Sequence, residues 1–163
     1  MENEIKIRKP EINDSGDIRE ILSQWTEPEE VNSYVERINN EINGKTEFSM
    51  EFWIIEINKK LAGVIGLSEP LPKVLPLAKT QKPAEIKILY IKDIYRGQNL
   101  GRMLVDFIED EARRQGYSEL IVRSAAKYKE TAFGFYKKLG YINIGQVSSG
   151  ENKIMEVFEK ILT

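Results

Sequence analysis

The alternation of apolar and polar residues divides the chain into short strands and amphipathic helices. Ile5 and Ile7 alternate with Lys6 and Arg8, the period of an early or edge strand, and Pro10 ends it. From Asp14 to Trp25 the period changes, and Ile18, Ile21, Leu22 and Trp25 fall on one helical face. Thr26-Glu27-Pro28-Glu29 has the form of a capping box opening a second helix. The stripe of that helix is Val31, Tyr34, Val35, Ile38 and Ile42, and Gly44 suits the position just past its end. Two apolar runs, Phe52–Ile57 and Leu61–Leu67, read as a hairpin joined by Asn58-Lys59-Lys60.

Glu85–Ile91 carries apolar residues on both faces and reads as a central strand. Alternation puts Glu85, Lys87, Leu89 and Ile91 on one of those faces. A helix begins near Asn99 or Leu100, with Leu100, Met103, Leu104, Phe107, Ile108 and Ala112 as its stripe, and stops at Arg113-Arg114-Gln115-Gly116. A strand over Glu119–Val122, a helix over Lys129–Leu139, and strands over Ile142–Val147 and Ile154–Phe158 around Ser148-Ser149-Gly150 complete the series. One segment fits no element. Residues 69–84 hold four of the six prolines, and Leu71, Val74, Leu75 and Leu77 within it need a surface to cover. A solvated insertion and a functional or mobile connection both fit this composition.

Composition narrows the chemistry. At 163 residues, 41% hydrophobic and 31% charged, the chain has the makeup of one soluble globular domain. A net charge of −2 gives no case for nucleic acid or an anionic membrane. No apolar run approaches a membrane span, and Met1-Glu2-Asn3-Glu4-Ile5 is not a signal peptide, so a cytoplasmic location is expected. Cysteine is absent, which removes both disulfides and a Cys nucleophile. Histidine is absent too, so proton transfer must fall to Glu, Asp, Tyr, Lys or water. A zinc site would need carboxylates alone, and no metal is expected.

The turn Arg96-Gly97-Gln98-Asn99-Leu100-Gly101 between strand and helix is built to approach a ligand. Glycine lets the main chain come close, and Asn tolerates left-handed angles. The N–H groups at the start of the helix have no internal partner, so they suit a phosphate. Neither a Gly-x-Gly-x-x-Gly fingerprint nor a P-loop is present.

This strand, turn and helix resemble the acyl-CoA pyrophosphate loop of the GNAT superfamily of N-acetyltransferases, which runs Arg or Gln, two residues, Gly, one residue, Gly or Ala. Arg96 and Gly101 match it, and Asn99 stands at the intermediate glycine. Downstream, the run from Ala132 through Phe135 and Tyr136 to Gly140 and Tyr141 resembles the family's second signature. The element order also follows the family along nearly the whole chain, least well over residues 11–50. The resemblance implies one α/β (α+β) domain over residues 1–163: a mixed, mostly antiparallel, twisted sheet of six to seven strands, splayed at the cofactor site and flanked by about four helices.

The resemblance also implies a chemistry. Acetyl-CoA is the expected co-substrate, held by Arg96, Gly97, Gln98, Asn99, Leu100, Gly101 and Arg102. Backbone donors around Leu89, Tyr90 and Ile91 serve its amide arm and thioester oxygen, an oxyanion hole in miniature. Tyr136 matches the family's tyrosine that protonates the departing thiolate, with Tyr128 as a rival. Lys129 stands seven residues before Tyr136, where the family often has Asn, and joins the cofactor-binding set. Glu85 is the candidate base; its alternative is simple pairing with Lys87 or a neighbouring strand. One subclass that acetylates protein N-termini carries Glu where this chain has Ile121. The expected reaction is direct attack by a primary amine, on a small molecule or peptide, within a ternary complex. A homodimer is compatible with this reading. Two other readings stand beside it: a non-catalytic acyl-CoA-binding domain, and a module docking partners through residues 69–84.

Overall fold

The computed structural model describes residues 2–46, 49–148 and 153–163. In chain order the elements are β1 (Ile5–Arg8), α1 (Ser15–Trp25), α2 (Pro28–Ile42), β2 (Glu51–Ile57), β3 (Lys60–Ser68), β4 (Pro83–Ile91), α3 (Leu100–Arg114), β5 (Glu119–Ala125), α4 (Ala132–Lys138), β6 (Ile142–Ser148) and β7 (Ile154–Ile161). The strands form one open sheet in the order β1-β2-β3-β4-β5-β7-β6. Pairing is antiparallel for β1–β2, β2–β3, β5–β7 and β6–β7, and parallel for β4–β5. This is the mixed sheet with four helices that the sequence predicts. The chain divides into two compact units, Met1–Ser68 with Lys87–Phe107, and Glu69–Ile86 with Ile108–Thr163.

In the first unit, α1 and α2 bury the predicted stripes. Ile18, Ile21, Leu22, Val31, Val35 and Ile38 pack with Phe52, Ile54 and Val64 of the sheet, and Trp25, Tyr34 and Ile42 lie partly buried at the margin. Burying each such side chain stabilises by roughly 1.5–3 kcal/mol, so packing rather than intrinsic propensity holds these helices. The capping box predicted at Thr26 does not form. Glu27 is the N-cap and Pro28 opens the helix, where its missing N–H costs nothing. The Thr26 hydroxyl instead donates to Glu30 Oε2 at 2.7 Å. The β2–β3 hairpin is also tighter than predicted. Asn58 and Lys59 take left-handed angles (φ 52° and 67°), and Lys60 already pairs with Ile57.

Two glycines of β3 show how β4 passes beside it. A Cβ on Gly66 would lie 2.9 Å from the Phe52 ring and 3.2 Å from Lys87 Cβ. A Cβ on Gly63 would lie 2.6 Å from Ile91 Cδ1 and 3.1 Å from Ile55 Cγ2. Residues three apart on a strand face opposite ways, so Lys87 and Ile91 lie on opposite faces. The single face predicted for Glu85, Lys87, Leu89 and Ile91 is therefore broken. Between them Ile88 takes a φ of 41°, an angle outside the strand region that interrupts a strand's alternation. A β-branched residue rarely takes such an angle, and strain of this kind costs on the order of 1–3 kcal/mol.

In the second unit, β5 and β7 pair from Glu119↔Ile161 to Ala125↔Met155. β6 adds to β7 with a bulge between Asn143 and Gly145; the turn predicted at Ser149-Gly150 lies outside the described residues. β4 pairs with β5 only from Pro83↔Glu119 to Ile86↔Val122. The helix predicted over Lys129–Leu139 begins late, at Ala132. Ala126–Tyr128 form a 3-10 turn, and the N–H groups of Lys129 and Thr131 donate to the carbonyls of Ala126 and Tyr128, which consumes the expected first helical turn.

Residues 69–82 are not a solvated insertion. Val74 is fully buried with Ile121 and Val157, and Leu71 and Leu77 pack against them, while Leu75 stays exposed. The N–H groups of Lys79 and Thr80 donate to the Glu119 carboxylate at 3.1 and 2.9 Å, and Lys79 Nζ lies 3.2 Å from Glu159 Oε1.

Candidate active site

β4 ends at Ile91, and a 3-10 turn over Asp93–Tyr95 leads to Arg96. Gly97 and Asn99 then take left-handed angles, with φ of 82° and 64°. A Cβ on Gly97 would meet nothing within 4 Å, so it is the backbone angle rather than crowding that favours glycine there. The Asn99 carbonyl accepts from the Met103 N–H at 3.0 Å, which opens α3. By that geometry Leu100, Gly101 and Arg102 carry first-turn N–H groups for which a helix has no internal acceptor. The Leu100 side chain is buried and anchors the turn, while Arg96, Gly97, Gln98, Asn99 and Arg102 are exposed. Arg102 lies 4.0 Å from Asp106, an exposed pair worth little. Leu89, Tyr90 and Ile91 are half-buried just upstream. Ten of the predicted cofactor-binding residues thus stand on one stretch of the first unit.

The remaining candidates belong to the second unit. Glu85 is fully enclosed, and its two oxygens accept from Arg123 Nε at 3.2 Å and Nη2 at 3.3 Å. Arg123 stands on β5, the neighbouring strand, and is not among the residues predicted for the site. A basic residue inside an apolar strand run was the available signal. Tyr136 is buried in α4. Its ring stacks on Phe158 at 6.0 Å and meets Phe135 and Tyr141 edge-on at 5.2 and 5.7 Å. Burial pushes its phenol well above the usual tyrosine range, so the hydroxyl keeps its proton. Phe133 shares the Phe158 contact at 5.2 Å, as the three-residue spacing predicts. Lys129 is exposed where the 3-10 turn ends. Among the described residues, no group of three or more His, Cys, Asp or Glu stands where it could hold a metal ion. No helix among them is long and apolar enough to cross a membrane.

Known proteins share both the sequence pattern and the fold. Human N-acetyltransferase 8B is 32% identical over 95 residues, covering 58% of this chain and 40% of that protein. The chain therefore spans about two-fifths of the length of this relative. A candidate acetyltransferase of the GNAT family from Desulfovibrio desulfuricans superposes with a TM-score of 0.81 at 15% identity, over 99% of this chain and 100% of the other. The PaiA N-acetyltransferase of Thermoplasma acidophilum, solved in complex with coenzyme A, superposes with a TM-score of 0.67 at 20% identity, over 97% and 99%. At these identities the structural likeness speaks for the fold. The family model for the acetyltransferase (GNAT) family matches residues 16–141, the greater part of the chain, and the chain belongs to that family.

Proposed function

We propose that the chain is a single acetyltransferase domain that moves an acetyl group from acetyl-CoA to a primary amine on a small molecule or peptide. The observation that carries this reading is the exposed Arg96–Arg102 turn. Left-handed Gly97 and Asn99 lead into the unpaired first-turn N–H groups of α3, a cradle whose charge and openness fit a pyrophosphate. Arg96 and Arg102 add positive charge for it, and Lys129, in the second unit, belongs to the cofactor-binding set that the family resemblance implies. The family match over residues 16–141 spans both compact units, which supports reading them as one domain.

Backbone N–H groups at Leu89 and Ile91, on either side of Tyr90, serve the cofactor's amide arm and polarise the thioester oxygen. With no Cys in the chain, the amine attacks the thioester carbonyl directly. A C–N bond forms, the C–S bond breaks, and the amine proton passes to a base. Glu85 is that base and works through water, because Arg123 occupies its oxygens. Tyr136 gives its proton to the leaving thiolate; burial keeps its phenol protonated until the thiolate forms. The second reading, a non-catalytic acyl-CoA-binding domain, draws on the same Glu85–Arg123 pairing, which would make Glu85 purely structural.

Gly101→Glu tests the site assignment. It adds a side chain and a negative charge to the first turn of α3, and calorimetry should show acetyl-CoA affinity lowered by about tenfold or more. Unchanged affinity in a folded variant removes the turn from the account.

A further inference from the structure

The end of α1 is tied to the phosphate turn by contacts that lie within the first unit. Trp25 Nε1 donates to the carbonyl of Ile91, the last residue of β4, at 2.9 Å. Its ring lies nearly parallel to Tyr90, 6.5 Å away with 4° between planes. The guanidinium carbon of Arg96 sits 5.0 Å from the centre of the same indole. Beside it, the Gln24 side-chain oxygen accepts from the Asp93 N–H at 2.9 Å, and Lys92 Nζ lies 3.3 Å from Glu20. α1 thus contacts three residues that lead into the turn, Ile91, Lys92 and Asp93, and Arg96 at its start.

Trp25 is the member of this set that reaches both the strand end and the turn's arginine. An exposed arginine loses rotamer freedom when a ligand orders it. A guanidinium resting over an indole face is already oriented, and it remains available because the attraction to the ring is modest at an exposed site. The hydrogen bond to Ile91 fixes the indole so that this resting place stays beside the turn. We infer that Trp25 is a positioning residue for anion recognition: it pre-orders Arg96 for the cofactor's pyrophosphate. The inference rests on reading the Arg96–Arg102 turn as the acetyl-CoA site. Trp25 acts through Arg96 and touches no reacting atom.

Pre-ordering predicts coupling between the two residues, which a purely structural tryptophan would not show. Coenzyme A affinity is measured by calorimetry for the parent, Trp25→Leu, Arg96→Ala and the double variant. Trp25→Leu should weaken binding by about five- to tenfold in the parent, and by less than about twofold once Arg96 is alanine. Trp25→Phe keeps a ring under the guanidinium, guards against a folding failure, and should fall between parent and Trp25→Leu. Additive losses, or unchanged affinity in Trp25→Leu, overturn the positioning role while leaving the turn as the binding site. An Arg96→Ala variant that binds like the parent also overturns it. A parent that binds no coenzyme A overturns both this inference and the reading on which it rests.

Discussion

Glu85 on β4 and Arg123 on β5 form a two-point ion pair, with Nε and Nη2 donating to separate carboxylate oxygens at 3.2 and 3.3 Å. Glu85 is fully enclosed, so removing its charge leaves a guanidinium with little water to replace its partner. Breaking a buried pair from one side costs about 3–5 kcal/mol. Glu85→Gln should therefore lower the melting temperature whichever role Glu85 has. Only the pH–rate profile separates the roles. A base predicts a loss of about 10²-fold or more wherever the parent's carboxylate is ionised, with the acid limb of the profile abolished and acetyl-CoA binding intact. A profile of unchanged shape would leave Glu85 as Arg123's structural partner.

A second carboxylate relationship governs stability against pH. Glu159 is buried beside Glu119, and burial, reinforced by that neighbouring carboxylate, pushes its pKa from 4.5 to about 7. Glu159 Oε2 has no hydrogen-bond partner among the described residues, whereas Lys79 Nζ lies 3.2 Å from Oε1. A carboxyl whose folded pKa is raised stabilises the protein fully below its unfolded pKa, and that stability is lost as the pH rises through the folded value. Glu119 shifts the other way: burial works to raise it, but the neighbouring Glu159 carboxyl, then the N–H groups of Lys79 and Thr80 and the Thr80 hydroxyl, hold it below the usual value, so its contribution is lost only as the pH falls. Between about pH 5 and about pH 8 the parent's melting temperature should fall relative to that of Glu159→Gln, which has no proton to lose. Parallel curves for the two proteins would show that Glu159 carries no titration in this window.

The proline-rich segment offers a direct packing test. Val74 is fully buried against Ile121 and Val157, whereas its neighbour Leu75 is 47% exposed. Val74→Ala should cost about 2 kcal/mol in urea unfolding, and Leu75→Ala less than about 0.5 kcal/mol. Equal, small effects would mean that the segment contributes nothing to the fold.

These tests fall where residues distant in sequence meet, and such meetings are what a single sequence conceals. The stripes of α1 and α2, and that of α3 except for Met103, which is exposed, were legible because a 3.6-residue period needs no partner to be seen. The left-handed turn ahead of α3 was legible because Gly97 and Asn99 favour such angles locally. Ile88 was not, since nothing local marks a β-branched residue for a φ of 41°. Arg123 and Glu159 were hidden for another reason. Their importance comes from partners on other strands, and a charged residue in a strand reads as solvent-facing until the pairing is known. The late start of α4 reflects competition, because the 3-10 turn at Ala126–Tyr128 satisfies the same backbone groups by shorter bonds.

Tyr136 bears most directly on whether the chain is an enzyme. Its ring is enclosed by Phe135, Tyr141 and Phe158, and Tyr136→Phe keeps those contacts while removing only the hydroxyl. The decisive measurement is the rate of free coenzyme A release from acetyl-CoA across a panel of primary amines, for the parent and for Tyr136→Phe. The account predicts amine-dependent release by the parent and a fall of about 10²-fold or more in kcat for the variant, with acetyl-CoA affinity nearly constant. A parent that releases no coenzyme A with any amine, or a variant as active as the parent, would contradict it.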